Sequence, residues 1–352
     1  MGAPSAAARR RFSEGGGASA APAGSADAAA LKPLAPPPQP SVSRLYKAPS
    51  WHDFGALRGF RVNFSTADAL ISTLTVHQDT VNIWSHLLGL AYFVAAVPTT
   101  WAALGASLAP QASYAWFGVF LLCAQAQMLT SVLYHTLRCV TKQTSETFLY
   151  LDMVGIVCMI AGSFFVGMMQ GFFCAPWKAV AYMAAEAAFL GVAMLSVSQA
   201  LRDGSRWIYA YLSIGASVAF GLVPCLHIYL ALTDAARGLP HAQELLSRAY
   251  LGCFCNYFVG ASAGGQVWRR RRRAPAPQST THAPHFPRLV LPAGFVFFLT
   301  RFPERFSPGT FDIIGHSHQI WHLFVWLAGR SWLLNMLELN AMLAQTGYSC
   351  PL

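Results

Sequence analysis

The chain has 352 residues, 55% of them hydrophobic and only 11% charged, with a mean hydropathy of +0.41, which excludes an ordinary soluble domain. Its net charge of +10 does not point to nucleic acid, because the basic residues sit in loops between apolar spans and form no face interleaved with aromatics. Eight cysteines without a CxxC pair, several inside spans (Cys123, Cys158, Cys225, Cys253, Cys255), indicate neither a thiolate zinc site nor a disulfide framework and read as small apolar packing.

Residues 1–50 are rich in Ala, Pro, Gly and Ser and read as a disordered N-terminal tail. The tail carries Arg9, Arg10 and Arg11 but no apolar core, so it is not a secretory signal; an organelle transit peptide is the other reading its composition allows. Residues 51–81 mix aromatic and polar groups and form a juxtamembrane segment with room for an amphipathic helix at the interface. Beyond it the fold class is all-α integral membrane. Apolar stretches of about 20 residues, the length that crosses the hydrocarbon core, predict a seven-transmembrane helix bundle over 82–335. The spans fall near 82–104, 114–137, 148–169, 178–200, 208–231, 246–266 and 313–335. A basic, Pro-rich insertion at 267–288, with Arg269 to Arg273, follows the sixth. The apolar run from Leu289 to Thr300 is too short to span alone. It is either re-entrant or the displaced end of the sixth helix. Residues 336–352 are a short C-terminal tail.

Charge asymmetry orients the bundle. Only Lys178, Arg237, Arg248 and Arg330 fall on one side, which leaves 20 of the 24 Lys and Arg residues on the other, in the N-terminal tail and the 2–3, 4–5 and 6–7 loops. The positive-inside rule makes the richer side cytoplasmic, with the N-terminus cytoplasmic and the C-terminus outside. That is opposite to G-protein-coupled receptors.

Polar ionisable groups at membrane depth are costly and call for a function. His318 and His322, at i and i+4, share one face of the seventh span, and imidazole is the commonest metal ligand. With this orientation His135 lies near the cytoplasmic end of the second span and Asp152 one to two turns into the third, at the depth of the histidine pair. Three neutral imidazoles plus water are a catalytic zinc arrangement with one position left open. Asp152 is the candidate general base, and Ser131, four residues before His135, can orient water or a carbonyl. The bland alternatives are a packing role for the histidines, helix-dipole preference for Asp152 and a back-bonded hydroxyl for Ser131. His316 points away from His318, and His86 caps or packs at the start of the first span. Glu186 and His227 satisfy kinked backbone or pair between helices. The five-arginine run is a solvated loop or a contact for anionic lipid.

Several blocks carry a resemblance: Gly59-Phe60-Arg61, the run from His77-Gln78-Asp79-Thr80 to Leu88-Gly89, Ser131 to His135, Leu151-Asp152, Arg301 to Gly309, and Ser317 to His322. On these the chain resembles the progestin and adipoQ receptor family, which includes adiponectin receptors and haemolysin III-like proteins. The resemblance implies a seven-helix fold with an intracellular N-terminus. It also implies a Zn2+ site on His135, His318 and His322 with Asp152 and Ser131 beside it, and hydrolysis of a ceramide-like lipid with a fatty acid as product. An extracellular protein or steroid ligand is the partner a receptor role would require. Two departures stand out: Gln78-Asp79 where the family usually has Asn-Glu, and the insertion from Arg269 to His285.

Overall fold

The computed structural model describes residues 41–42, 58–203, 207–235 and 293–345. The chain divides into two units, Met1–Pro38 and Gln39–Leu352, and every described residue belongs to the second. A two-residue antiparallel ladder pairs β1 (Ser41–Val42) with β2 (Arg61–Val62). A short helix, α1 (Thr66–Ile71), then leads into α2 (Thr80–Ala106), α3 (Gln111–Leu137), α4 (Lys142–Gly171) and α5 (Pro176–Asp203). After these come α6 (Trp207–Phe220), α7 (Leu222–Ala235), α8 (Ala293–Thr300) and α9 (Ser317–Gln345).

Among the described residues, five helices are long and apolar enough to cross a membrane: α2, α3, α4, α5 and the segment Trp207–Ile228. These are the first five expected spans; the first, third and fourth are longer at both ends, the second only at its start, and the fifth runs Trp207–Ile228 against an expected 208–231. The fifth is broken at Gly221, because Pro224 has no N–H to give to the carbonyl four residues back. The sixth span at 246–266, the insertion at 267–288 and the tail at 1–50, apart from Ser41–Val42 in β1, lie outside the described residues. The short apolar run forms α8, eight residues long. The seventh expected span begins at Ser317 rather than 313 and continues to Gln345, into what reads from sequence as the tail.

α3 packs between α2 and α4, α9 closes against α2 and α4, and α5 flanks α4 and α6. Phe93, Phe117, Phe120, Met128, Met159 and Met336 fill the centre. Leu122, Val180, Leu195 and Leu212 point outward, the reverse of a soluble protein and the surface a lipid solvent requires. Small residues let the helices approach: a Cβ on Gly155 of α4 would lie 2.9 Å from the Gln127 Cα of α3, and one on Gly162 would lie 2.7 Å from the Cys123 Cβ. Cys174, in the turn between α4 and α5, is disulfide-bonded, which the scattered cysteine pattern did not predict. Its spacing carries no recognisable framework.

Candidate metal centre

The site begins at the end of α3. His135 lies in the last turn of that helix, fully buried, and its ring meets those of His318 and His322 from the first two turns of α9. Ring centroids are 5.1 Å apart for His135 and His318, 4.6 Å for His135 and His322, and 4.8 Å for the α9 pair. One nitrogen from each ring lies within 4.8 Å of the others, and the His135 and His318 Nε2 atoms face each other at 3.2 Å. Three imidazoles with no carboxylate among them can hold a divalent transition ion. Nitrogens on a tetrahedral ion stand about 3.3 Å apart, so the widest pair closes by a small rotation of its rings. The expected convergence of His135, His318 and His322 is therefore present.

Two refinements of depth follow from the helix ends. Asp152 lies ten residues after Lys142, about 15 Å along α4 at the helical rise, and is deeper than one to two turns. His318 is in the first turn of α9 rather than a turn or more inside. Asp152 is buried, and its carboxyl is hydrogen-bonded by the Ser131 hydroxyl, so α3 and α4 meet here through a polar pair. The contact depends on the close approach at Gly155, one turn further along α4.

His318 is set in place from outside its own helix. Glu304, buried in the turn after α8, accepts from the Ser317 backbone N–H at 2.8 Å and from the Ser317 hydroxyl. This carboxylate sits where the helix dipole is positive. Gln319 Nε2 donates to the carbonyls of Ile313 (2.8 Å) and Gln78 (3.3 Å), tying the start of α9 to the chain before α2. Gly59 makes that approach feasible: at φ 84° its carbonyl accepts from Gln78 N–H, and a Cβ there would collide with Ile313.

On the far side of His135 lies a buried ionic group that sequence reasoning did not place. Asp79 occupies the N-cap of α2 but makes no capping bond. One of its oxygens stands 2.9 Å from His135 Nδ1 and 3.5 Å from the Arg138 guanidinium; the other accepts from Arg61 at 3.2 Å. Arg138, read as a loop charge, is 1% exposed. Burial alone would raise the Asp79 carboxyl, but Arg138, the bond from His135 and Arg61 together hold it well below the usual carboxylate range. Of its two expected roles, capping or packing, His86 takes the second. Its ring stacks on His322 at 3.9 Å, and its Nε2 lies 3.3 Å from the His322 carbonyl. His316 is buried with Nε2 3.5 Å from the Gln78 carbonyl. Glu186 accepts from Ser217 and His227 meets the Tyr182 hydroxyl at 2.9 Å, so both pair between helices as expected.

A cavity of about 700 Å³ opens onto this centre, lined there by Ser131, Asp152, His86, His318 and His322. The rest of its wall is largely apolar, with Met153, Ile156, Met159 and Ile214, and Phe298 lies against the His318 ring at 5.5 Å, while Lys142, Glu146, Arg202, Asp203 and Arg301 stand near the helix ends. Such a volume is in the range of small-molecule sites. Arg301 terminates α8 at φ 52°, where glycine is usual. That conformation costs roughly 1–2 kcal/mol, and it leaves the guanidinium at the cavity rim.

Apolar spans, inward-facing small residues and a buried histidine cluster define a helical, multi-pass integral membrane protein with a candidate metal centre. The sequence profile described as "Haemolysin-III related" matches residues 74–263 and 279–333, and the chain belongs to that family. Among its relatives, the chain is 25% identical to "Heptahelical transmembrane protein 1" of Arabidopsis thaliana, over 78% of this chain and 73% of that protein. It is 26% identical to human "Progestin and adipoQ receptor family member 3", over 75% and 74%. It is 29% identical to the Drosophila melanogaster "Adiponectin receptor protein", over 72% of this chain and 49% of the relative.

Proposed function

We propose that this chain is a seven-helix intramembrane zinc hydrolase that cleaves the amide of a ceramide-like lipid in the cytoplasmic leaflet, releasing a fatty acid. The supporting observation is the junction of the three-histidine cluster with a largely apolar cavity that carries one buried carboxyl, Asp152, on its wall. Zinc held by His135, His318 and His322 would supply an acidified water and a Lewis acid for the carbonyl oxygen. Ser131 orients the Asp152 carboxyl, which accepts the proton of the attacking water and returns it to the leaving amine nitrogen. The apolar wall takes the acyl chain and excludes water from the reacting carbonyl. The excess of Lys and Arg in the loops on the same side supports a cytoplasmic-facing site. A disulfide at Cys174, in the turn at the opposite end of α4, agrees with that orientation.

The test is lipid turnover and metal content of the detergent-purified chain. Asp152→Asn is expected to abolish fatty-acid release while keeping zinc, and His318→Ala to lose zinc. Undiminished zinc in His318→Ala would remove the site. The receptor names of two relatives favour a second reading, a signalling protein with structural zinc that responds to an extracellular protein or steroid. Zinc-loaded wild-type protein without turnover across ceramide-like lipids would select it.

A further inference from the structure

Asp79 stands outside the reaction just described, yet it touches one member of the histidine cluster and caps none of the first-turn backbone N–H groups of its own helix. An aspartate at an N-cap ordinarily accepts from the first turn of backbone N–H groups. Here both carboxylate oxygens turn away, to His135, Arg138 and Arg61. As a purely structural ion pair this arrangement would be poor value, since desolvating three charges offsets most of their attraction. Its geometry has a different logic. A carboxylate flanked by two guanidinium groups is an acceptor only, so the 2.9 Å contact requires His135 Nδ1 to be the donor. A neutral imidazole has one N–H, and placing it on Nδ1 leaves the Nε2 lone pair facing His318.

The same arginine also fixes the backbone of that histidine. Arg61 donates to the His135 carbonyl at 2.5 Å, to the Thr136 carbonyl at 2.8 Å and to Ser72 Oγ at 3.0 Å. Ring and main chain of His135 are thus held by one Arg61–Asp79 unit. Asn82 Nδ2, 3.3 Å from Asp79, fixes the carboxylate plane from α2.

We infer that Asp79 is a positioning residue for the metal centre, orienting the His135 ring so that Nε2 faces the ion, with Arg61 and Arg138 as its counter-charges. The inference rests on the metal-binding part of the proposal above and not on its hydrolytic part. Outer partners of ligating histidines are worth roughly 10–100-fold in metal affinity.

The experiment is zinc affinity of the full purified chain, measured by competition with a chromophoric chelator. Asp79→Asn is expected to bind roughly 10–100-fold more weakly than wild type, and Asp79→Glu, which keeps the anionic acceptor, to recover most of that loss. His318→Ala serves as the control. If it abolishes binding while Asp79→Asn binds as wild type does, the positioning role is overturned and the metal centre stands. If wild type itself binds no zinc, or His318→Ala binds undiminished, the metal centre falls and this role with it. A folded Asp79→Asn chain is not needed for the second measurement. In 15N-histidine NMR of the metal-free wild type, with His135 assigned by its loss in His135→Gln, an Nδ1–H tautomer is expected. An Nε2–H tautomer there overturns the inference.

Discussion

His77 is buried with both ring nitrogens committed. Nδ1 accepts from the Asp79 backbone N–H at 3.1 Å, so the ring proton sits on Nε2 and goes to the Ser72 carbonyl at 3.1 Å. A second proton on Nδ1 would face an N–H. Burial first, and then Arg61, push the imidazole down to about 4 from its ordinary 6.5. The folded chain therefore binds fewer protons here than the unfolded one. The stabilisation is complete above pH 6.5 and is lost as pH falls through that value towards 4. The loss amounts to about 3 kcal/mol. Thermal unfolding of the metal-free chain in detergent across that window should fall more steeply for wild type than for His77→Asn; parallel curves would refute it. At this scale much of the centre is legible from sequence. The i, i+4 histidine pair, His135, Asp152 and Ser131 are chemically conspicuous in apolar surroundings. Asp79, Arg61, Arg138 and Glu304 are not, because each lies in polar sequence where a charge needs no explanation. What makes them functional candidates is burial through contacts distant in sequence, such as Arg61 with Thr136. Only the family blocks pointed to their neighbourhood.

Among the elements, α3 and α4 carry the decisive interface, since Ser131 and Asp152 lie on opposite sides of it. Their closeness depends on Gly155, whose absent Cβ would overlap Thr130 Oγ1 and stand 2.9 Å from the Gln127 Cα. Backbone cannot step aside as a flexible side chain can. Gly155→Leu is expected to separate the helices at a cost of about 1–3 kcal/mol. It should reduce lipid turnover far more than zinc affinity, because the His135 ring meets its partner histidines on α9. Equal losses in both assays would mean that the interface supports the metal centre as a whole. Sequence located these helices because each is a long apolar run, and it misjudged their ends because polar residues continue a helix as readily as they end it. Thr141 makes the point: its side chain accepts from the Thr144 N–H and caps α4, which starts at Lys142, six residues before the apolar span was expected to begin.

For the whole molecule, the histidine cluster, Asp79 network and charged cavity rim share the end of the bundle formed by the α3–α4 turn and the start of α9. The α2–α3 and α4–α5 turns lie at the other ends of their helices. From Lys142 to Ile160 the cavity follows α4 for eighteen residues, about 27 Å of helix. It thus extends from the charged end well into the apolar depth, a shape suited to a chain with a polar head. Which leaflet supplies that chain depends on orientation, and the orientation proposed from the loop charges would put this end on the cytoplasmic side. Leu108, 87% exposed in the α2–α3 turn, offers a probe for the opposite side. In a background lacking Cys139, a membrane-impermeant maleimide on intact cells should label Leu108→Cys, and should label Gln143→Cys, at the exposed start of α4, only after permeabilisation. The reverse pattern would put the histidines beneath the outer headgroups, where a substrate would have to come from the other monolayer.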